Sequence, residues 1–203
     1  MVRRQLAARD IKDRRVLAAM ASVPRECFVP PHLRDQAYAD SPLPVGHDQT
    51  ISQPYIVALM TQEADLDRHA RVLDVGTGTG YQAAILAKIA HHVWTIERIA
   101  ELAHAAEARL ANLGVRNVTT LVGDGAMGHP EAAPYDAIVV AAAAPEPPTA
   151  LLEQLAVQGR LVIPLGDRAL QELTVVERTA TGFHHHMAGA CRFVPLVSSE
   201  AFS

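Results

Sequence analysis

A glycine-rich run, Gly76-Thr77-Gly78-Thr79-Gly80, directly follows a short apolar segment that ends at Val75. Glycines in alternate positions let the backbone turn sharply, and they let a ligand lie against the main chain because no Cβ intervenes. In an open parallel sheet, ligands bind in the crevice at the carboxyl ends of the strands. The run therefore predicts a cofactor site at the end of a strand, preceded by the acidic residue Asp74.

Two further acidic residues follow the next two apolar segments. Glu97 closes the second predicted strand, where a carboxylate can accept hydrogen bonds from both hydroxyls of a ribose. Asp124-Gly125 follows the third. Either acid alone is typical of a solvated strand end. Together with the glycines they indicate one crevice that binds a nucleoside.

Two common cofactor classes do not fit this pattern. A dinucleotide motif that starts at Gly76 requires a glycine at position 81, which is Tyr81, and a P-loop requires Gly-Lys-Ser/Thr. The alternate glycines after Asp74 instead resemble motif I of the Rossmann-like methyltransferases. That resemblance implies S-adenosyl-L-methionine as cofactor and S-adenosyl-L-homocysteine as product, with Asp124 beside the adenine.

Strands and helices alternate from residue 71 onward. Such alternation predicts an α/β fold, a doubly wound Rossmann-like sheet of about seven strands, mostly parallel, with an antiparallel edge at the C-terminus. The predicted strands are Arg71–Val75, His92–Ile96, Val118–Val122, Ala137–Val140, Arg160–Ile163, Leu170–Arg178 and Phe183–Phe193. The predicted helices are Tyr81–Ala90, one carrying Ile99, Leu102, Ala103, Ala106 and Leu110 on one face, and Thr149–Leu155.

An N-terminal helical extension precedes this core. Ile11–Met20 has the apolar spacing of an amphipathic helix, residues 24–50 predict an ordered but irregular segment, and a second helix runs to about Ala64. Ser52 is a plausible N-cap of that second helix, with Pro54 in its first turn. We expect one domain over 1–203, in which 1–64 lies on the substrate side and 65–203 binds the cofactor.

Composition narrows the class of protein. The 203 residues carry a net charge of −4, which disfavours binding to a nucleic-acid backbone but leaves a local basic patch open. No apolar run reaches the 18 or so residues of a membrane span, and Met1–Asp10 lacks the apolar region of a secretory signal. The only cysteines are Cys27 and Cys191, so no disulfide framework is expected. We therefore expect a cytoplasmic protein that binds neither nucleic acid nor membrane.

Further segments, spread over essentially the whole chain, resemble the protein-L-isoaspartate O-methyltransferase family. The most specific is the Thr-Ile-Ser-Gln-Pro run at 50–54, because the glycine motif is shared with many unrelated methyltransferases. The other matching segments are Val23–Val29, Gly78–Ala84, Val122–Gly125, Gly159–Pro164 and Arg192–Leu196. Two positions depart from the family pattern: Asp48 stands where relatives often have glycine, and Ala141–Ala144 is plainer than expected.

The resemblance implies methyl transfer to the free α-carboxylate of L-isoaspartyl, and of D-aspartyl, residues in damaged proteins or peptides, which starts repair through a succinimide. It implies that Ser52 is the catalytic residue, whose hydroxyl orients the carboxylate and is not a nucleophile. The cofactor contacts that we assign are Thr50, Ile51, Gly76, Gly78, Gly80, Glu97, Arg98, Asp124 and Gly125. A substrate segment could dock on backbone donors near Val194-Pro195-Leu196, and we expect a monomer.

Other interpretations remain open at this point. One is a related methyltransferase that acts on a dedicated peptide, a small molecule or nucleic acid, although no Asn-Pro-Pro-Tyr-type element follows the fourth strand. Another is an inactive scaffold that binds the cofactor, which the presence of Ser52 and Asp124 disfavours. The run His184-His185-His186 predicts no metal site, because adjacent residues on a strand point to opposite faces.

Overall fold

The strands of the protein form a small hairpin and one large sheet. The computed structural model describes residues 1–167 and 169–198. In chain order the strands are β1 (Leu43–Gly46), β2 (Gln49–Ile51), β3 (Arg71–Val75), β4 (His92–Glu97), β5 (Val118–Val122), β6 (Tyr135–Val140), β7 (Leu155–Gly166), β8 (Gln171–Arg178) and β9 (Phe183–Cys191). The α-helices are α1 (Arg14–Ser22), α2 (Pro54–Glu63), α3 (Tyr81–Ala87), α4 (Ala100–Asn112) and α5 (Thr149–Glu153).

The large sheet has seven strands in the order β5-β4-β3-β6-β7-β8-β9. The first four pairings are parallel, and β7–β8 and β8–β9 are antiparallel. The predicted fold class is therefore confirmed. The strand order reverses at β3, so the glycine run after β3 lies at the switch point where this class of fold binds ligands.

Both faces of the sheet are buried at its central strands β3 and β6, which explains why these strands are almost continuously apolar. Val72 and Leu73 are adjacent on β3 and belong to two different buried clusters, one on each face. A strand covered on both sides reads as an apolar run because every side chain enters a core. Met20 and Phe28 of the N-terminal extension pack in the same cluster as Val72.

Several predicted boundaries were wrong at the ends of elements. The predicted helix over Tyr81–Ala90 ends at Ala87, because the chain must turn before His91 donates its backbone N–H to Ala70. Leu155, which we placed in a helix, begins β7 by pairing with Tyr135. The last strand ends at Cys191 instead of Phe193. Residues 199–203 of the predicted core lie outside the described residues.

The N-terminal extension contains more regular structure than predicted. The first α-helix starts at Arg14, not Ile11, because the Asp13 carboxylate caps it by accepting the Arg15 backbone N–H. Residues 24–50, predicted to be irregular, contain two 3-10 turns and most of the β1–β2 hairpin. Asp48 lies in that hairpin's turn with φ +56°, a conformation that favours glycine and explains why glycine is expected there.

The prediction that Ser52 caps α2 was wrong. The helix begins at Pro54, so Gln53 is its flanking residue, and no side chain caps it. Proline at the first helical position has no N–H to satisfy, so this helix end needs less capping. The Ser52 side chain is therefore left available for another role.

Candidate functional site

One cavity of about 280 Å³ lies between the carboxyl ends of the central strands and the N-terminal extension. Its walls come from β2, the start of α2, the glycine run after β3, the end of β4 and the segment after β9. Six predicted site residues line it together: Thr50, Ile51, Ser52, Gly76, Gly78 and Glu97. The glycine run after β3 and Glu97 at the end of β4 lie together because the carboxyl ends of parallel strands meet at one edge of the sheet.

The glycines of the run have different tasks. Gly78 lines the cavity with φ +51°, and a Cβ built on it would have no atom within 4 Å. Gly80 has φ +86° and faces α4, where a Cβ would lie 3.3 Å from Ala106 Cβ. Gly78 therefore keeps the cavity side of the loop clear for a ligand, and Gly80 lets α4 approach. This open backbone cradle fits a nucleoside cofactor.

Glu97 holds the glycine loop and stays exposed to the cavity that it lines. Its Oε2 accepts the Gly78 backbone N–H at 2.9 Å, and its Oε1 accepts the Ile99 backbone N–H at 3.0 Å. A carboxylate has about four acceptor positions, so two remain for ribose hydroxyls. Glu97 thus fits the predicted role while fixing the loop that surrounds the same ligand.

A buried hydrogen-bond chain runs beneath the loop. Thr95 Oγ1 donates to Asp74 Oδ2 at 2.7 Å and lies 2.7 Å from Thr77 Oγ1. Asp74 is completely buried, and its Oδ1 has no hydrogen-bond partner in the described part of the chain. Burial raises the pKa of Asp74 to about 7, because the charged form loses its hydration. Asp74 therefore supports the loop from below and does not line the cavity.

Four predicted cofactor residues do not line the cavity. Arg98 is exposed, and Gly80 packs against α4. A Cβ on Gly125 would lie 2.4 Å from Val75 Cγ1, so this glycine allows close packing against β3. Asp124 is exposed at the end of β5, where its Oδ1 accepts the Ala126 N–H and its Oδ2 accepts the Ser198 hydroxyl at 2.7 Å.

Ser52 places a side chain in the cavity without using its hydroxyl in the fold. Within residues 1–167 and 169–198, that hydroxyl makes no hydrogen bond, whereas the Ser52 carbonyl accepts a 2.8 Å bond from Arg25 Nη2. The backbone is thus anchored and the side chain is available. An anchored hydroxyl donor at the rim of a cofactor cavity can bind and orient an anionic group.

Sequence reasoning missed the part of the wall formed by the end of β9 and the segment after it. Ala190, Cys191, Arg192, Phe193 and Val194 line the cavity, and Arg192 is the only cationic residue among its described lining residues. The matching segment Arg192–Leu196 was the available signal, but nothing local places it beside residue 52.

The predicted docking edge at Val194-Pro195-Leu196 is largely occupied within the chain. The Leu196 N–H donates to the Ala143 carbonyl at 2.7 Å, and the Val194 carbonyl accepts the Ala143 N–H at 2.8 Å. Proline has no N–H to offer. Pairing with the chain after β6 therefore uses the Leu196 donor, and among these three described residues the Val194 N–H is the backbone donor left for a substrate segment.

The described residues contain neither a metal-binding cluster nor a membrane-spanning helix. No group of three or more His, Cys, Asp or Glu side chains within them is arranged to hold a metal ion. None of their helices has the length and apolarity that crossing a bilayer requires.

The chain matches the family model of protein-L-isoaspartate(D-aspartate) O-methyltransferase over residues 1–201. It is 54% identical to a protein-L-isoaspartate O-methyltransferase of Methanoregula boonei, over 97% of this chain and 91% of that protein. It is 53% identical to protein-L-isoaspartate O-methyltransferase 1 of Syntrophobacter fumaroxidans, over 97% and 92% respectively.

Solved structures show the same similarity in three dimensions. A β-aspartate methyltransferase of Plasmodium falciparum, in complex with S-adenosyl-L-homocysteine, superposes with TM-score 0.82 at 26% identity, over 97% of this chain and 96% of that one. Another protein-L-isoaspartate O-methyltransferase gives TM-score 0.84 at 28% identity over 93% of this chain, which covers 63% of that longer chain. This chain therefore belongs to the protein-L-isoaspartate(D-aspartate) O-methyltransferase family.

Proposed function

We propose that the chain transfers the methyl group of S-adenosyl-L-methionine to the free α-carboxylate of L-isoaspartyl residues in proteins and peptides. One observation carries the proposal beyond family membership. A single cavity joins a nucleoside cradle, formed by Gly78 and Glu97, to Ser52 of the family-specific segment 50–54, whose hydroxyl makes no hydrogen bond to another described residue. The proposed cofactor site and the proposed substrate site are thus parts of the same cavity.

The reaction requires little acid–base catalysis from the protein. An aspartyl carboxylate has a pKa near 3.9, so it is already a nucleophilic anion at neutral pH and needs no general base. The cofactor, when bound, supplies an electrophilic methyl group on a sulfonium. The residues of the chain then contribute alignment: the Ser52 hydroxyl donates to one carboxylate oxygen, leaving the other directed at the methyl group.

The ester product has a defined chemical fate. The backbone nitrogen of the following residue attacks the methyl ester carbonyl, forming a succinimide and releasing methanol. Water then opens the ring, partly to normal aspartate. We propose that the enzyme also accepts D-aspartyl residues, which likewise present a misplaced carboxylate.

The remaining cofactor contacts are part of the proposal. Thr50 and Ile51 line the cavity beside Ser52, and we assign them to the cofactor. We assign Asp124 to the adenine, with Gly125, Gly80 and Arg98 shaping the surrounding loops. In this division of a single domain, 1–64 is the substrate-side extension, which also contributes Thr50 and Ile51 to the cofactor site, and 65–203 is the cofactor-binding core.

The substrate is a polypeptide and not a nucleic acid in this proposal. The net charge of −4 gives no basic face for phosphates, and the lining of the cavity carries one acid, Glu97, and one cation, Arg192. Arg192 is placed to favour an anionic segment over a neutral one. We further propose that the enzyme works as a monomer in the cytoplasm.

The deciding experiment compares two peptides of identical composition. Methyl transfer from labelled cofactor should occur to an isoaspartyl peptide and not to its normal aspartyl twin. Equal labelling of both would contradict isoaspartyl recognition. Labelling of a small molecule or RNA, with neither peptide modified, would favour the alternative methyltransferase.

A further inference from the structure

Arg25 is a fully buried arginine just behind the wall of the cavity. Its side chain has 0% exposure, although it lies in a short 3-10 turn of the N-terminal extension. Its Nε donates to the Ala37 carbonyl at 2.7 Å, and its Nη2 donates to the Ser52 carbonyl at 2.8 Å. One side chain thus joins three separate stretches of the extension.

The same guanidinium also contacts the cofactor side of the cavity. It lies over the ring of Tyr81, 4.7 Å from the ring centroid, and Tyr81 is the first residue after the glycine run. Tyr81 and Ser52 both line the cavity. Phe28, from the same turn as Arg25, packs edge-on against Tyr81 at 5.3 Å, so the ring is held from two directions.

Burial of the Arg25 guanidinium is energetically unfavourable, so stability of the fold alone does not explain it. Burial lowers the pKa of Arg25, and no carboxylate in the described ranges 1–167 and 169–198 forms an ion pair with it. Its Nη1 is buried without a hydrogen-bond partner among those residues. A buried unpaired cation destabilises a fold relative to an apolar residue of the same shape. What a planar guanidinium adds is fixed geometry between two carbonyls and a ring.

We propose that Arg25 is a positioning residue for methyl transfer, which holds the Ser52 backbone at a fixed distance from the loop that carries the cofactor. The proposal rests on the proposed function of Ser52. Because the Ser52 hydroxyl has no hydrogen-bond partner among the described residues, its direction depends on its own backbone, and the Arg25 side chain holds that backbone by its carbonyl. Arg25 itself touches neither substrate nor reacting atoms.

The proposal predicts a particular split of kinetic constants. Arg25→Met keeps the length and apolar stem but removes the donors and the charge. We expect kcat on an isoaspartyl peptide to fall about ten- to a hundredfold, because a displacement near 1 Å can cost that much. The Kd of S-adenosyl-L-homocysteine should stay within about threefold, since Glu97 and Gly78 are unchanged.

Arg178 offers a matched control, because its Nη1 also donates to two backbone carbonyls, those of Glu153 and Leu155. It is absent from the lining of the cavity. Arg178→Met should lower the melting temperature and leave kcat unchanged. If it lowered kcat as much as Arg25→Met does, loss of any such arginine would explain the effect and the proposal would be overturned.

A double-mutant cycle with Ser52→Ala tests whether Arg25 acts through Ser52. If it does, the double variant should be no slower than the slower single variant; multiplied rate losses would overturn the proposal. Should Arg25→Met fail to fold, Arg25→Lys replaces it, and its kcat should fall below wild type by less than the loss expected for Arg25→Met, because it keeps the charge and a single donor nitrogen. An unchanged kcat in folded Arg25→Lys would likewise overturn it. Wild-type discrimination between the isoaspartyl and aspartyl peptides, measured first, tests the proposed function independently.

Discussion

Ser52 contributes a hydroxyl to the cavity and only its backbone to the fold. It does not cap α2, and its carbonyl is held by Arg25. Removing the side chain therefore breaks no hydrogen bond between residues that the structure describes. This separation makes Ser52 a clean position for testing function apart from stability.

We expect Ser52→Ala to reduce kcat/KM on an isoaspartyl peptide about ten- to a hundredfold. A hydrogen bond to a charged group contributes roughly 1.5–3 kcal/mol, which corresponds to that range. Cofactor affinity and melting temperature should remain close to wild type. Initial rates, calorimetric titration and thermal unfolding measure the three quantities, and a full rate in the variant would assign Ser52 to the scaffold.

Asp74 makes the unfolding free energy depend on pH. Its pKa is raised from 3.8 to about 7 in the folded protein, so the native state binds its proton more tightly than the unfolded state does. Its contribution to stability is then greatest below about pH 3.8 and is lost as the pH rises to about 7.

The variant Asp74→Asn keeps an acceptor for Thr95 but cannot ionise, so we expect its stability relative to wild type to increase as the pH rises through this window. Urea unfolding at several pH values measures the difference. Parallel stability curves for the two proteins would show that Asp74 does not titrate in this range.

At the scale of elements, the five residues of the glycine loop divide two roles between two glycines. One faces the ligand cavity and the other packs against α4. We expect both Gly78→Ala and Gly80→Ala to lose about 1–2 kcal/mol, because both positions have positive φ. Only Gly80→Ala also forces a Cβ against α4, at 3.3 Å from Ala106, and should be the less stable variant. Only Gly78→Ala places a methyl group at the cavity and should bind S-adenosyl-L-homocysteine at least tenfold more weakly. Equal cofactor affinity of the two variants would contradict this division.

The turn after β5 and the C-terminal segment meet at Asp124. If Asp124 binds the adenine, Asp124→Ala should weaken cofactor binding roughly ten- to a hundredfold, the value of a hydrogen bond to a charged group. Ser198→Ala, which removes the partner hydroxyl on Asp124 Oδ2 and leaves the Asp124 carboxylate in place, is the control and should bind the cofactor nearly normally. Calorimetry on both variants decides, and an unchanged affinity in folded Asp124→Ala would remove Asp124 from the site.

For the whole molecule, cofactor binding should couple to global stability. The cavity lies between the N-terminal extension and the sheet, so a ligand there binds only the assembled native state. At a hundred times its Kd, S-adenosyl-L-homocysteine should add about 2.7 kcal/mol and raise the melting temperature by roughly 5–10 °C. NAD at the same concentration should leave it unchanged, because Tyr81 occupies the position of the third dinucleotide glycine. A shift with NAD alone would overturn the cofactor class.

The sequence by itself determined the features that depend on neighbouring residues. The alternation of strands and helices from residue 71 predicted a mostly parallel sheet, because each crossover helix returns the chain to the same edge of the sheet. The glycine spacing and the terminal acid Glu97 predicted a nucleoside site, since the loop and the strand end are local structures. The segment at 50–54 carried the family resemblance because it, too, is a continuous run of neighbouring residues.

Only the tertiary structure decided what depends on residues distant in the chain. It showed that Ser52 is not a helix cap, that Arg25 holds its backbone, and that the segment after β9 closes the cavity. It also gave Asp74 its raised pKa, which comes from complete burial. No periodicity encodes these contacts, because burial and long-range hydrogen bonds arise only when separate elements pack together.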